Sequence, residues 1–277
     1  MSALSAYSGS VEWIEPLLRP RRISHAVFDF DGTLSWLRHG WPDIMYQVVR
    51  PAFSLQPGET EQNLHDLLLG DILSLNGKAS IYQMVRCAQR AVARGGSPPT
   101  PEAWLKEYAV RLETALIQRL QQVRNGAQND HFVVHGARAL LERLASLGVT
   151  LIVLSGSAEP GVREEAGLLG LAHFFGPHIY GSSPDRERSS KAAVLTRLLS
   201  EEGIPGNQLL SFGDGPVELR LTREAGGVAV GVASDEEING SGVPDQLKAA
   251  QLRAAGAHVL IPDYRDATLL LTSILAV

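Results

Sequence analysis

Val27-Phe28-Asp29-Phe30-Asp31-Gly32-Thr33-Leu34-Ser35 carries the sharpest local pattern in the chain. Apolar residues alternate with Asp29 and Asp31, a pattern that predicts a buried strand ending in two carboxylates and turning at Gly32. A carboxylate at the end of a buried strand is costly unless something pairs with it, and two of them two residues apart call for a cation. Such a pair suits metal-assisted phosphoryl transfer, with one Asp as nucleophile, the other as general acid and base, and Mg²⁺ offsetting the gathered charge. The same nine residues also fit a plain Asp-Gly hairpin turn, so the rest of the chain has to separate the two readings.

Downstream of Ser35 comes a polar, aromatic loop with Trp36, Arg38, His39, Gly40, Trp41 and Pro42, and then a long region without a convincing strand. Helical periodicity recurs there over residues 44–49, 61–75, 80–93 and 102–120. In the last of these, Leu105, Tyr108, Leu112 and Leu116 form one stripe, and a Gly- and Pro-rich stretch precedes it. These segments predict a small helical bundle.

From about residue 135 the pattern changes. An amphipathic helix carrying Leu140, Leu141, Leu144 and Leu147 stops at Gly148, and the apolar run 149–154 follows it and ends in Ser155-Gly156-Ser157. A helix feeding a fully apolar strand marks a parallel sheet covered on both faces. Helices are expected at residues 158–169, 190–202, after Pro216, at 245–255 and from about 265, alternating with strands at 178–180, 208–212, 227–232 and 257–261. The class is therefore α/β, with a mostly parallel, Rossmann-like sheet.

Ser155 follows Asp31 by about 120 positions, whereas one strand-helix-strand unit needs only about thirty. The surplus is the helical region. It predicts an α-helical cap, residues 36–134, inserted at the carboxyl end of the first strand of a core made of residues 1–35 and 135–277. Ligand sites of open α/β sheets lie at the carboxyl strand ends, so the insert should cover the site.

The 277 residues, 44% hydrophobic and 20% charged, can supply a sizeable core. Twenty-five Lys and Arg against 30 Asp and Glu give a net charge of −5, with no global basic surface for nucleic acid or an anionic membrane. A single cysteine, Cys87, excludes an intrachain disulfide and falls in a helical run as a small core or surface residue. Without an apolar run near twenty residues or an N-terminal basic-then-apolar signal, a cytoplasmic location is expected. The first twenty-odd residues offer at most a short helix over residues 11–18.

Three further features fall at strand ends or helix starts. Ser155 offers a hydroxyl and the following amides, Gly156 included, to phosphoryl oxygens, although it also fits an ordinary small-residue turn. Lys191 opens a helix, where a surface lysine would be unremarked. Gly213-Asp214-Gly215-Pro216-Val217-Glu218 puts Asp214 on a turn and Glu218 one helical turn further on, an oxygen-only pair suited to Mg²⁺.

In this order (Asp29 and Asp31, Ser155, Lys191, then Asp214 with Glu218) the sequence resembles the phosphatases of the haloacid dehalogenase superfamily over residues 25–235. The departure is Glu218, often Asp in relatives, which leaves open whether it reaches the metal directly or through water. The resemblance implies an aspartyl-phosphate on Asp29, with Asp31 as general acid and base. It implies Mg²⁺ held by the side chains of Asp29 and Asp214 and the backbone carbonyl of Asp31, and Thr33, Ser155, Gly156 and Lys191 around the phosphoryl group. Asp31 argues against the dehalogenases, the phosphonate-cleaving members and the ion pumps, each of which carries another residue there.

Two other motifs fail. Gly77-Lys78 is followed by Ala79 where a Walker loop needs Ser or Thr, and residues 235–246 end in Gln246 where an EF-hand needs Glu. The expected substrate is a small phosphorylated metabolite, a sugar phosphate or a phosphoglycolate-like acid, with Arg38, His39, Trp41, Asn76 and Lys78 toward its leaving group. A phosphomutase of the β-phosphoglucomutase type is the alternative reading within the superfamily, and a non-catalytic ligand-binding or regulatory module is the alternative outside enzymes.

Overall fold

The computed structural model describes residues 7–8, 10–17, 19–76, 78–126, 129–201 and 203–275. Gly77 and Leu18, which entered two of the readings above, lie outside them. The elements run β1 (Tyr7–Ser8), β2 (Val11–Trp13), β3 (His25–Phe28), α1 (Trp41–Val49), α2 (Glu61–Leu73), α3 (Ile81–Ala93), α4 (Pro101–Arg124) and α5 (Ala137–Ser146). They continue through β4 (Thr150–Ala158), α6 (Glu159–Leu168), α7 (Ala172–Phe175), β5 (Ile179–Ser182), α8 (Arg186–Ser189), α9 (Lys191–Glu201), β6 (Leu209–Gly213) and α10 (Pro216–Glu224). The last are β7 (Val228–Val232), α11 (Gln246–Ala254), β8 (Val259–Ile261) and α12 (Ala267–Ile274).

One sheet forms in the order β1-β2-β8-β7-β6-β3-β4-β5, parallel from β8 through β5. Alternate residues of its strands enter different cores, which is why the strands read as unbroken apolar runs. On one face Ala26, Phe28, Val153, Phe212 and Val230 pack with Leu140, Leu144, Val162 and Ile274 from α5, α6 and α12. Phe28 stacks on Phe212 at 4.8 Å between ring centroids. On the other face Val27, Ile152 and Leu209 meet Val194, Leu195 and Leu198 of α9, and Leu260 meets Leu219 and Leu252 of α10 and α11.

Helices α1 to α4 have a core of their own, built from Met45, Leu64, Leu68, Ile72, Met84, Cys87, Trp104 and Tyr108. Their starts follow local chemistry. Thr60 and Asn63 form a reciprocal capping box on α2, and Thr100, followed by Pro101, caps α4 by accepting the Ala103 N–H. The segments that join this block to the sheet belong to the other core, where Trp36, Leu37, Phe132 and Val133 are buried together with Val123 from the end of α4.

The N-terminal segment differs from expectation. Residues 11–13 form a strand, not the start of a helix, and pair antiparallel with β8 through Glu12 opposite Leu260 and Trp13 opposite Val259. Pairing there covers an otherwise open sheet edge and buries Val11 completely, and Pro16 would in any case interrupt a helix through residue 18. Residues 235–238 form a turn in which the Asp235 carboxylate accepts the N–H groups of Glu237 and Ile238.

Cys87 is fully buried on α3, and burial, with the Asp71 carboxylate adding to it, pushes its thiol up to about 12. The native protein should therefore be inert to a disulfide-exchange reagent at pH 8 and release one thiol equivalent on denaturation. Rapid native labelling would show that the α1–α4 core opens readily.

Candidate active site

β3 is flanked by β4 and β6, so the carboxyl ends of three adjacent strands converge beneath the helical block. Asp29 leaves β3 with its N–H donated to the carbonyl of Phe212, and one carboxylate oxygen accepts the Phe30 N–H at 2.7 Å. The other lies 2.7 Å from the Lys191 ammonium. The chain then reverses through hydrogen bonds from Leu34 and Ser35 N–H to the Phe30 carbonyl. Gly32 takes φ 73°, and a Cβ there would sit 2.2 Å from an Asp214 carboxylate oxygen. Glycine is required on both counts.

Lys191, the first residue of α9, bridges Asp29 and Glu218, with its ammonium 2.9 Å from the latter. Glu218 also accepts the Gly215 N–H at the start of α10. Thr33 is fully buried, and its hydroxyl accepts the Asp214 N–H at 3.0 Å, fastening the turn after β3 to the end of β6. Both Asp214 carboxylate oxygens are buried without a hydrogen-bond partner. Carboxylate oxygens of Asp29, Asp214 and Glu218 lie within 4.8 Å of one another.

This crowding is electrostatically frustrated. Burial drives the Asp29 carboxyl well above its ordinary value; Lys191 pulls it back, and Glu218 and Asp214 push it further up. Burial raises Asp214 to about 6, against the pull of Lys248 and with Glu218 and Glu236 adding to it. Burial also opposes the charge of Lys191, but the carboxylates of Asp29 and Glu218 outweigh it and hold the ammonium protonated. An all-oxygen cluster with orphaned buried oxygens, short of positive charge, fits a hard divalent cation.

Asp31 is not part of this cluster. Its carboxylate receives Arg38 Nη1 and the Ser157 hydroxyl, each at 2.7 Å, and Arg38 also forks onto Glu165 of α6. Ser155 is buried, and its hydroxyl accepts the Ser157 N–H. β4 runs on past its apolar portion, with a register irregularity between Leu154 and Ala158; such a break re-aims the side chains around it.

A cavity of about 140 Å³ lies between these strand ends and the helices, lined by Asp29, Asp31, Gly156 and Ser157 from below and Arg38, Trp41, Asn76, Lys78, Ser80, Gln83 and Tyr108 from the other side. Asn76 donates to the Asp214 carbonyl at 3.3 Å. His39 is not part of the lining; it stacks on Trp36 with 3.7 Å between ring centroids, and its Nδ1 meets the Trp36 carbonyl. Arg38 lines the cavity and is at the same time paired with two carboxylates, Asp31 and Glu165.

Sequence reasoning passed over Ser157, Glu165, Ser80, Gln83, Tyr108 and a second buried lysine, Lys248. Ser157 alone carried a signal, lying two residues beyond Ser155 at the same strand end. The others reach the site through tertiary packing.

A Rossmann-like sheet with carboxylates and a lysine gathered at adjacent strand ends, under an inserted helical block, defines a class of hydrolase. The profile of the haloacid dehalogenase-like hydrolases matches residues 23–226, and the chain belongs to that family. A 5′-nucleotidase of Pseudomonas aeruginosa is 31% identical over 163 residues, covering 56% of this chain and 68% of that protein. A predicted phosphoglycolate phosphatase from Haemophilus somnus superposes with a TM-score of 0.56 at 18% identity, over 90% of this chain and 98% of its own. A family hydrolase from Deinococcus radiodurans with bound phosphate and sodium does so at 0.55 and 18%, over 92% and 100%. The protein is thus a hydrolase with phosphatases among its relatives. Among the described residues no helix is long and apolar enough to cross a membrane.

Gly32→Ala should lower stability by about 1–2 kcal/mol or more, because it combines a left-handed backbone with a clash against Asp214. Denaturant unfolding measures this, and an unchanged midpoint and slope would contradict the geometry described for the turn.

Proposed function

We propose that the protein hydrolyses small phosphomonoesters through an aspartyl-phosphate on Asp29, with Mg²⁺ as cofactor. The observation that carries this reading is the buried Asp29–Asp214–Glu218 cluster, whose Asp214 oxygens accept no hydrogen bond, beside Lys191. Asp29 attacks phosphorus in line; its Oδ–P bond forms as the ester P–O bond breaks, and the leaving oxygen takes a proton from Asp31. Asp31 then removes a proton from water, which attacks the acyl phosphate, frees inorganic phosphate and restores the Asp29 carboxylate.

Asp29 and Asp214 would hold Mg²⁺, with the Asp31 carbonyl as the further ligand that the family resemblance implies, and Glu218, bound to Lys191, would stand at the edge of that set. Bound there, the ion supplies charge neutralisation to the nucleophile and the phosphoryl oxygens. Lys191 compensates charge on the transferring group and keeps the Asp29 oxygens oriented. Ser155 and the Gly156 amide serve the phosphoryl oxygens, with the Ser157 N–H orienting the Ser155 hydroxyl, and Thr33 acts by fixing the Asp214 backbone.

We assign residues 36–134 the role of a cap. A cavity of about 140 Å³ is below the roughly 300 Å³ at which drug-sized pockets begin, which favours a compact substrate such as a sugar phosphate or phosphoglycolate-like acid. Lys78 is exposed on its rim and suits an anionic leaving group. The Pseudomonas aeruginosa relative adds nucleoside 5′-monophosphates to the compounds to be compared.

The test is phosphate release from a panel of such esters with Mg²⁺ and with EDTA. Release should require the metal and vanish in Asp29→Asn; release from the folded Asp29→Asn enzyme would remove Asp29 as nucleophile. Lys78→Ala should raise KM about tenfold for acidic esters while leaving kcat within about twofold, and an unchanged KM for every substrate would remove Lys78 from recognition.

A further inference from the structure

A second lysine stands at the metal cluster, on α11 and outside the strand-end motifs. Lys248 is 1% exposed. Its ammonium donates to the backbone carbonyl and the hydroxyl of Ser234, both at 3.1 Å, pairs with the Glu236 carboxylate, and lies 3.5 Å from Asp214 Oδ2. The contacts continue outward on two sides. The Ser234 hydroxyl donates to the Gly32 carbonyl at 2.6 Å, and the second oxygen of Glu236 accepts the N–H of Gly40, which precedes α1. One ammonium therefore connects the loop after β7, the turn after β3, the carboxylate at the end of β6 and the start of the helical insert.

Lys191 is matched by Asp29 and Glu218. That leaves Asp214, the third carboxylate of the cluster, with Lys248 as its cationic neighbour. A buried lysine is costly to desolvate unless its charge is matched. Lys248 could simply tie α11 to the β7 loop, and Ser234 and Glu236 would suffice for that. The approach to Asp214 goes further, because the Asp214 side chain has no hydrogen bond to fix its rotation.

We propose that Lys248 is a positioning residue for Asp214. It holds the carboxylate turned toward Asp29, with Ser234 fixing the ammonium and Glu236 linking the arrangement to the insert at Gly40. The proposal rests on the metal reading given under the proposed function. Ligand-orienting partners of this kind are worth about 10–100-fold in metal affinity.

Calorimetric titration of the full-length protein with Mg²⁺ separates the possibilities, and substrate KM and kcat are measured alongside. Lys248→Met should weaken Mg²⁺ binding by about 10–100-fold and lower kcat at non-saturating metal, with substrate KM nearly unchanged; Lys248→Arg should recover part of the affinity. If the wild type binds no Mg²⁺, the metal reading itself fails. If the wild type binds and Lys248→Met binds equally or more tightly, with or without a lower Tm, Lys248 is a structural tie or a counter-charge and the positioning role is overturned. Should Lys248→Met not fold, Ser234→Ala takes its place: it removes a fixing contact while leaving the lysine, and should weaken Mg²⁺ binding several-fold. Unchanged affinity in Ser234→Ala would overturn the proposal.

Discussion

Gathering Asp29, Asp214 and Glu218 within 4.8 Å in a buried place is the constraint on which the structure depends. Like charges at that spacing in a poorly solvated setting repel by several kcal/mol, so the fold must supply cations or see the carboxyls protonate. It supplies two buried lysines from different helices, Lys191 opening α9 and Lys248 on α11. Neither is adjacent in sequence to the carboxylates it meets. The sheet has to form, with α9 and α11 packed on it, before the charges are matched. Site assembly therefore waits on the fold, and the three carboxylates still outnumber the two lysines that meet them.

The parallel sheet makes this gathering possible at modest cost in chain. Strands β3, β4 and β6 are hydrogen-bonded neighbours, so residues following their last buried positions come together without any long loop reaching in. Phe28 and Phe212 stack at the same level of the sheet, one residue before Asp29 and two before Asp214. Packing of two aromatic rings thus sets the height at which two carboxylates emerge. Thr33 and Gly32 then fix their separation, one by a hydrogen bond and the other by having no side chain.

Much of this was legible in the sequence because it is written locally. The alternation in residues 27–31, the apolar run before Ser155 and the Gly-Asp-Gly turn at residues 213–215 each announce a strand end with polar chemistry on it. The helical periodicities located α1 to α4 because each helix buries a stripe of its own. What was not legible depends on partners far along the chain. Val11–Trp13 is a strand because β8 offers an edge, a fact absent from residues 7–20. Lys248 reads as an ordinary helix residue until α11 is packed against the loop after β7. His39 carried a functional residue type, but its ring finds Trp36 three residues earlier and stacks outside the cavity.

Arg38 shows how the two halves of the site meet. It lies between β3 and α1 and joins Asp31 to Glu165 of α6, a helix that α4 also contacts. Two carboxylates on one guanidinium leave little net positive charge at the cavity wall. The fork onto Glu165 is the bidentate geometry that arginine holds best, whereas Asp31 is held by a single Nη1. The Ser157 hydroxyl, on the other Asp31 oxygen, gives that carboxylate a second hold independent of the guanidinium. Two residues after Arg38, Gly40 is tied through Glu236 to Lys248. The insert is thus fastened to the core by charged groups that themselves touch Asp31 and Asp214, so any change in its position is felt at both carboxylates.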